Sequence, residues 1–255
     1  MSPRPAAPKG ACKATPADLQ RGVVLFVVLV TVLLGTLLAL WASRSALLNE
    51  RVAGNDADYQ RVLETAHALL RDAELDIQGI RADGSPCSTD PQAGCRARGA
   101  FDAAAGKASF PEDESELQDM LLALRTQSPP CVAGICAPIV QDTATDSATP
   151  TREFWAQSRQ LETMKLRAAR YGDHTGARPA GTGNPLLAGS EPRAWYWIEL
   201  LPYDSASAVE GGPARAYAPD DTRPYVYRIT AVAQGLKPNS QAVLQSVFVW
   251  RRRRS

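Results

Sequence analysis

Between Arg21 and Arg44 the chain carries no charge for twenty-two residues, 22–43, and the apolar run passes without a turn signal into an amphipathic pattern that continues to Ile77. That continuity limits what the chain can become. A secretory signal has an apolar core of about 7–15 residues with small residues at the cut. Here a cut after Ala42 would put Leu40 at the third position back, so no Ala-x-Ala site follows the run. The nineteen residues 23–41, at the helical rise per residue, reach about 28 Å, the thickness of a bilayer core. Trp41 then stands where an interfacial aromatic is expected. Beyond Arg44 the apolar positions Leu48, Val52, Tyr59, Val62, Leu63, Ala66, Leu69, Leu70, Ala73 and Ile77 recur at steps dominated by three and four, one stripe of a helix. The pattern predicts one long helix that begins in a membrane and continues outside it. Gly54-Asn55 weakens it by about a kcal/mol, and a kink or local melting is expected there. Gly79 and the Asp83-Gly84-Ser85-Pro86 cluster end it.

Charge orients the segment. Residues 1–21 carry Arg4, Lys9, Lys13 and Arg21 against Asp18 alone, which places the N-terminus in the cytoplasm and everything after Trp41 across the membrane. A net charge of +1 on 255 residues gives no reason to invoke nucleic acid. The closing run of arginines, 251–254, reads as a solvated tail. Cys12 lies in the leader, and the other cysteines form two close sets, Cys87/Cys95 and Cys131/Cys136. Four cysteines allow three pairings, of which the two local ones are favoured in an oxidising compartment. Loops of this size would stabilise by roughly 2–3 kcal/mol each. Metal binding is the weaker reading, since the spacings are not those of a zinc knuckle and only His67 and His174 offer imidazole.

Residues 80–190 are the least readable. Helical spacing predicts short helices over 114–125 and 152–170, set among Pro-, Gly-, Ser- and Thr-rich stretches such as 141–150 and 175–192. The last third changes period. Runs 195–201, 225–234 and 242–250 are rich in β-branched and aromatic residues, and Tyr225, Tyr227 and Ile229 alternate with Val226, Arg228 and Thr230. The turn 235–240 should make the last two a hairpin. The expected class is α+β: a long N-terminal helix, membrane half then amphipathic half, packed against a small C-terminal antiparallel sheet. The organisation read from this is a leader at 1–22, an apolar half-helix at 23–43, an amphipathic half at 44–79, a variable insert at 80–190 and a sheet at 191–255.

Gln20-Arg21-Gly22 before a hydrophobic helix resembles the class III signal of type IV pilin-like proteins. The segments 50–55 (Glu-Arg-Val-Ala-Gly-Asn) and 66–74 (Ala-His-Ala-Leu-Leu-Arg-Asp-Ala-Glu) resemble the N-terminal region of the PilX family of minor pilins. Its last two strands are similar to Tyr227-Arg228-Ile229-Thr230-Ala231 and Val243-Leu244-Gln245-Ser246 with the basic terminus. The resemblance covers roughly residues 20–76 and 195–254. It implies a type IV pilin-like fold and a role in pilus initiation and assembly. It implies cleavage by a prepilin peptidase between Gly22 and Val23, with N-methylation of Val23. It also implies an inner-membrane precursor with a periplasmic head. The partners it implies are other minor pilins, the major pilin, the inner membrane and a tip adhesin, with no cofactor.

One departure is informative. Major pilins carry a glutamate at the fifth residue after the cut, which pairs with the charged N-terminus of a neighbouring subunit. Here that place is Val27, and no carboxylate occurs between Asp18 and Glu50. Such a subunit is best tolerated where no neighbour has to be neutralised, at the filament tip; the bland alternative is that Val27 simply belongs to an apolar helix. Two other classes stay open: a tip-type minor pseudopilin of type II secretion, and a bitopic membrane protein with a periplasmic binding domain. Small residues Thr31, Gly35 and Ala39 share a helix face that permits close approach of another helix.

An enzyme needs a constellation, and none assembles: there is no Gly-x-Ser-x-Gly, His-Glu-x-x-His or phosphate-cradling loop. Asp173-His174 reads as a surface loop pair and His67 as a helix-face residue. Asp142 and Asp146 lack the glycine and glutamate of a calcium loop. Trp195-Tyr196-Trp197 has two readings. Trp195 and Trp197 share a face, which points to core or helix contact; a carbohydrate or partner platform is the other reading, with Tyr196 on the opposite face as its test.

Overall fold

The computed structural model describes residues 17–87, 94–96, 101–140, 150–178, 183–188, 191, 193–203, 218–220 and 222–250, with backbone alone at 17–22 and 188. Cys12, Asp142, Asp146 and the arginines at 251–254 lie outside these. The chain divides into two compact units, Met1–Gly54 and Asn55–Ser255. The longest element, α1 (Ala17–Gln78), contributes to both. Gly54 and Asn55 are both helical, so the local melting expected there is absent. Neither residue lacks backbone partners inside a helix, and one glycine costs only about 1 kcal/mol.

The described part of the first unit is helix throughout, and its side chains are almost all exposed. The second unit holds the core. From Asn55 onward α1 buries Val62, Ala66, Leu69, Ala73 and Ile77, none more than 6% exposed. These positions fall on one face at helical spacing. Tyr59, counted in the stripe from sequence, is instead 49% exposed. The helix stops because Gly79 takes φ 66°, a left-handed conformation open to glycine at little cost. The N–H groups of Gly79 and Ile80 bond back to Asp76 and Leu75.

Helix α2 (Glu114–Arg125) has the bounds its sequence predicts. Asp113 caps it by accepting the Glu116 N–H at 2.9 Å, and Glu116 accepts the Glu112 N–H at 2.8 Å. The helix expected over 152–170 is shorter. A 3-10 turn (Phe154–Ala156) precedes extended Gln157, and only Ser158–Lys165 forms α3. Its C-terminal end is held by the Trp197 indole, which donates to Met164 O at 3.1 Å. Past it, Ala169 leaves the helical path to bridge Tyr196. A short α4 (Pro185–Ala188) follows.

The sheet has five strands in the order β1-β2-β3-β4-β5: β1 (Cys131–Val132), β2 (Ile135–Cys136), β3 (Ala194–Pro202), β4 (Tyr225–Gln234) and β5 (Gln241–Phe248). The last three are antiparallel, and β4–β5 is the hairpin foreseen from the turn at 235–240. The sheet as a whole is mixed rather than antiparallel, because β2 lies parallel to β3. The β1–β2 hairpin turns on Ala133 (φ 48°) and Gly134 (φ 83°), two consecutive left-handed residues. Cys131 and Cys136 are joined by a disulfide across it, and Cys87 is joined to Cys95.

The sheet is covered on both faces. One face packs Tyr196, Ile198, Leu200, Tyr227, Ile229 and Ala231 with the buried stripe of α1 and with α2. The other packs Trp195, Trp197 and Val232 with Phe154, Leu161, Met164 and the Cys131–Cys136 disulfide.

Candidate assembly surface and the polar cluster of the head

In the first unit, the apolar side chains from Val23 to Trp41 are exposed, apart from a half-buried Val30. Val23 is 64% exposed, Val27 52% and Trp41 75%. The most apolar eighteen-residue window of α1 has a mean hydropathy of 3.0 and is 0% buried. The helix is therefore long and apolar enough to cross a membrane. Its few polar groups are already satisfied: Thr31 Oγ1 donates to Val27 O and Val28 O, and Thr36 Oγ1 to Leu33 O. That is the condition for placing a hydroxyl in lipid or between apolar helices. Gly35 has open space where a side chain would stand. Gly22 and Val23, the pair marked by the processing signal, lie within the helix.

In the second unit, charge is buried where α1 meets two loops. Asp76 is gripped in bidentate fashion by Arg96, whose Nε and Nη2 each donate at 2.7 Å. Tyr196 Oη adds a third donor at 3.1 Å. Arg96 also donates to Ala108 O, so one guanidinium joins α1 to the segment that follows. One turn earlier, Asp72 accepts from Gly172 N at 2.8 Å and from the Thr175 hydroxyl. Burial pushes the Asp72 carboxyl up to about 6. Burial, and then the Arg96 charge, push His174 down to about 4. Burial raises the Tyr196 phenol well above its ordinary value. The same loops pack backbone on backbone. A Cβ on Gly94 would stand 2.6 Å from Gly176 Cα, so the turn beside Cys95 requires glycine.

This cluster is polar but closed. Asp72 and Asp76 are 2% and 4% exposed, and each donor is matched to an acceptor. Its chemistry is that of a clamp. A second ion pair does similar work across the sheet: Arg228 donates to both Glu199 oxygens at 2.8 and 2.6 Å, and Glu199 also accepts the Ile139 N–H. A third contact holds the β4–β5 turn to α1. Asp58, 5% exposed, accepts from Lys237 N, and its hydrogen bond to Ser240 keeps its carboxyl below the usual value.

The residues singled out from sequence divide accordingly. Asp173 is exposed and His174 half-buried beside the clamp, while His67 is exposed on α1. Among the described residues, no group of three or more His, Cys, Asp or Glu could hold a metal ion. The platform reading of Trp195-Tyr196-Trp197 is overturned: they are 5%, 0% and 1% exposed. Tyr196 faces α1 rather than solvent, because a sheet layered on both sides leaves no outer face at β3.

An exposed apolar helix surface, followed by a head that folds on the same helix, defines a pilin-like protein. The family comparisons are more specific. Residues 21–68 match the PilX N-terminal model, and residues 133–250 match the model of the C-terminal part of the type IV pilus assembly protein PilX. Together the two cover more than half of the chain, which belongs to the PilX family of type IV pilus assembly proteins. No curated protein and no solved structure matches it. Membership implies interaction with other pilus components, and the family is structural.

Proposed function

We propose that this chain is a minor pilin that takes part in initiating and assembling the type IV pilus, at or near the filament tip. The observation that carries the position is the lack of any carboxylate between Asp18 and Glu50, with Val27 at the place where the pilin resemblance puts a glutamate. An ammonium buried among apolar helices without a counter-charge costs about 2.5–3.5 kcal/mol even on insertion scales. A subunit that offers its neighbour no carboxylate fits best where that neighbour is missing.

In this reading the prepilin peptidase cuts between Gly22 and Val23, and Val23 is N-methylated. The precursor sits in the inner membrane with residues 1–22 cytoplasmic and the head periplasmic. Its partners are the other minor pilins, the major pilin and a tip adhesin. The exposed face at Thr31, Gly35 and Ala39 supports close helix packing in the assembled filament.

The test substitutes Val27→Glu in cells making pili, with intact mass and N-terminal sequence read in the presence and absence of the peptidase. The expected result is a peptidase-dependent start at methylated Val23 in both forms. In the variant, pilus number should change and the subunit should appear along the filament. A start near Met1 in both would remove the pilin pathway. Correct processing with unchanged assembly and placement would remove the tip assignment alone.

A further inference from the structure

The two disulfides among the described residues have different surroundings. Cys131 and Cys136 are both 0% exposed, packed with Phe154, Met164 and Trp197. Cys95 is half-buried in the short stretch 94–96, and its partner Cys87 is 8% exposed. In thiol–disulfide exchange a thiolate attacks one sulfur of the bond, so access decides which disulfide exchanges. A reagent meeting the folded head reaches Cys87–Cys95 first, and Cys131–Cys136 only when the core opens.

The reachable bond closes a circuit through the buried charge pair. Ile80 bridges Pro86, and the Cys87 N–H donates to Gly79 O at 2.8 Å. Cys87 is thus held against the end of α1, one turn past Asp76. The disulfide leads to Cys95, and the next residue is Arg96, whose guanidinium returns to Asp76 at 2.7 Å. The pair inside is dry, its side chains 7% and 1% exposed. Without the cross-link, Arg96 hangs from Asp76 on a tether of 20 residues. With it, the path runs through the turn 79–87 and a single peptide unit. A buried carboxylate that loses its cation is left uncompensated. Tyr196 Oη, at 3.1 Å, then offers Asp76 a hydrogen bond but no charge. Release of Arg96 also frees Ala108 O and the Phe110 ring, whose centroid lies 5.1 Å from the guanidinium.

We propose that Cys87–Cys95 is a redox-addressable latch on the Asp76–Arg96 pair. In closing, the two thiols give up two protons and two electrons to a disulfide-bearing oxidant. A bond forms between the Sγ atoms of Cys87 and Cys95, the oxidant's own S–S bond breaks, and it leaves as two thiols. A dithiol reductant runs the exchange backward. Closed, the latch keeps Arg96 on Asp76 and fastens the end of α1. Open, Arg96 withdraws and the turn 79–87 loosens, while β3, β4 and β5 keep the core. One end of α1 thereby registers the thiol–disulfide balance around the head. Neither tip placement nor processing at Gly22 enters this inference.

The test treats the full chain in detergent with N-ethylmaleimide, which blocks any free thiol, Cys12 included, and then with increasing dithiothreitol. Iodoacetamide tags the newly released thiols, peptide mass locates them, and amide hydrogen exchange reports opening. Cys87 and Cys95 should be tagged at dithiothreitol about tenfold or more below that needed for Cys131 and Cys136. In that half-reduced form, exchange at Gly79, Ile80 and Cys87 should quicken by about a hundredfold, the scale of an unpaired buried charge. Exchange at Ile229 and Ala231 should not change. Asp76→Asn combined with Arg96→Gln removes both charges, and there reduction should quicken exchange by less than about tenfold. Equal tagging of both disulfides would overturn the proposal, as would quickening that spreads to Ile229 and Ala231. Unchanged exchange after reduction would overturn it too, showing that the packing of Gly94 on Gly176 holds Arg96 unaided. A quickening that persists undiminished in the double variant would remove the charge pair from the latch. The tagging and exchange of the unaltered chain decide the matter even if the double variant does not fold.

Discussion

The same helix serves two regions that treat apolar side chains in opposite ways. In the first unit, Leu33, Leu34, Leu37 and Leu38 are each more than half exposed. In the second, Leu69 is 0% exposed, against a sheet face carrying Tyr196 and Ile229. Hydrophobic burial scales with the area removed from water, so the second region stabilises its own fold. The first contributes nothing until lipid or another subunit covers it. A leucine in one region is therefore a folding residue and in the other an assembly residue, although local helix propensity is the same for both.

The largest expected effect breaks that comparison directly. Leu69→Ala should destabilise the head by about 2–5 kcal/mol, the range for deleting a fully buried side chain. Leu33→Ala should leave head unfolding within about 0.5 kcal/mol, as for an exposed site. Both are read by chemical denaturation of the full chain in detergent, following near-ultraviolet signals from Trp195 and Trp197. An equal loss in both variants would mean that the apolar half also supports the head.

The polar clamp gives the next effect, and it has a sign. Asp72 titrates near 6 when folded against its ordinary 3.8, so the folded state holds the extra proton between about 4 and 6. Stability from this group is therefore greatest below that window and falls as pH rises through it. His174 titrates near 4 against its ordinary 6.5, so the unfolded state holds the extra proton. Its contribution rises with pH across nearly the same window. The two slopes oppose each other, each worth up to about 2–3 kcal/mol across the window. The unaltered protein should therefore change little between pH 4 and 6.5. Asp72→Asn should unmask stability that rises with pH, and His174→Gln stability that falls. Denaturation midpoints across this range check both signs; two flat profiles would show that neither group titrates on unfolding.

What the sequence made legible was whatever is decided locally. The bounds of α2 and β4 follow from a cap at Asp113 and from period-two alternation, so they are readable within a few residues. The β1–β2 hairpin was missed because each strand is two residues long. It is held by a disulfide, by the left-handed Ala133-Gly134 turn, and by Glu199 accepting the Ile139 N–H from sixty residues away. Tyr196 was placed on an outer face because alternation says which residues share a side, not whether that side is covered. The clamp left one signal unread. Asp58, Asp72 and Asp76 interrupt the apolar stripe of α1 from its buried side, and a carboxylate placed there requires partners. Those partners, Arg96 and Thr175, lie 20 and 103 residues away, a distance that composition and period do not span.

The smallest expected effect falls where the two units divide. Gly54 is the last residue of the first unit and is helical, with Asn55 after it holding Lys237 Nζ at 2.8 Å and Asp58 holding the same turn. Helix downstream of Gly54 is thus fastened by side chains to the β4–β5 turn, while among the described residues the hydrogen bonds upstream stay within the helix itself. Gly54→Ala should raise local helix stability by about 0.5–1 kcal/mol through the lost flexibility of glycine. The gain should appear as slower amide exchange at residues 48–54 and leave residues 58–70 unchanged, because the latter exchange only when the head opens. If slowing extends equally into 58–70, the two regions open as one unit, and the contrast between folding leucines and assembly leucines is one of burial alone and not of cooperativity.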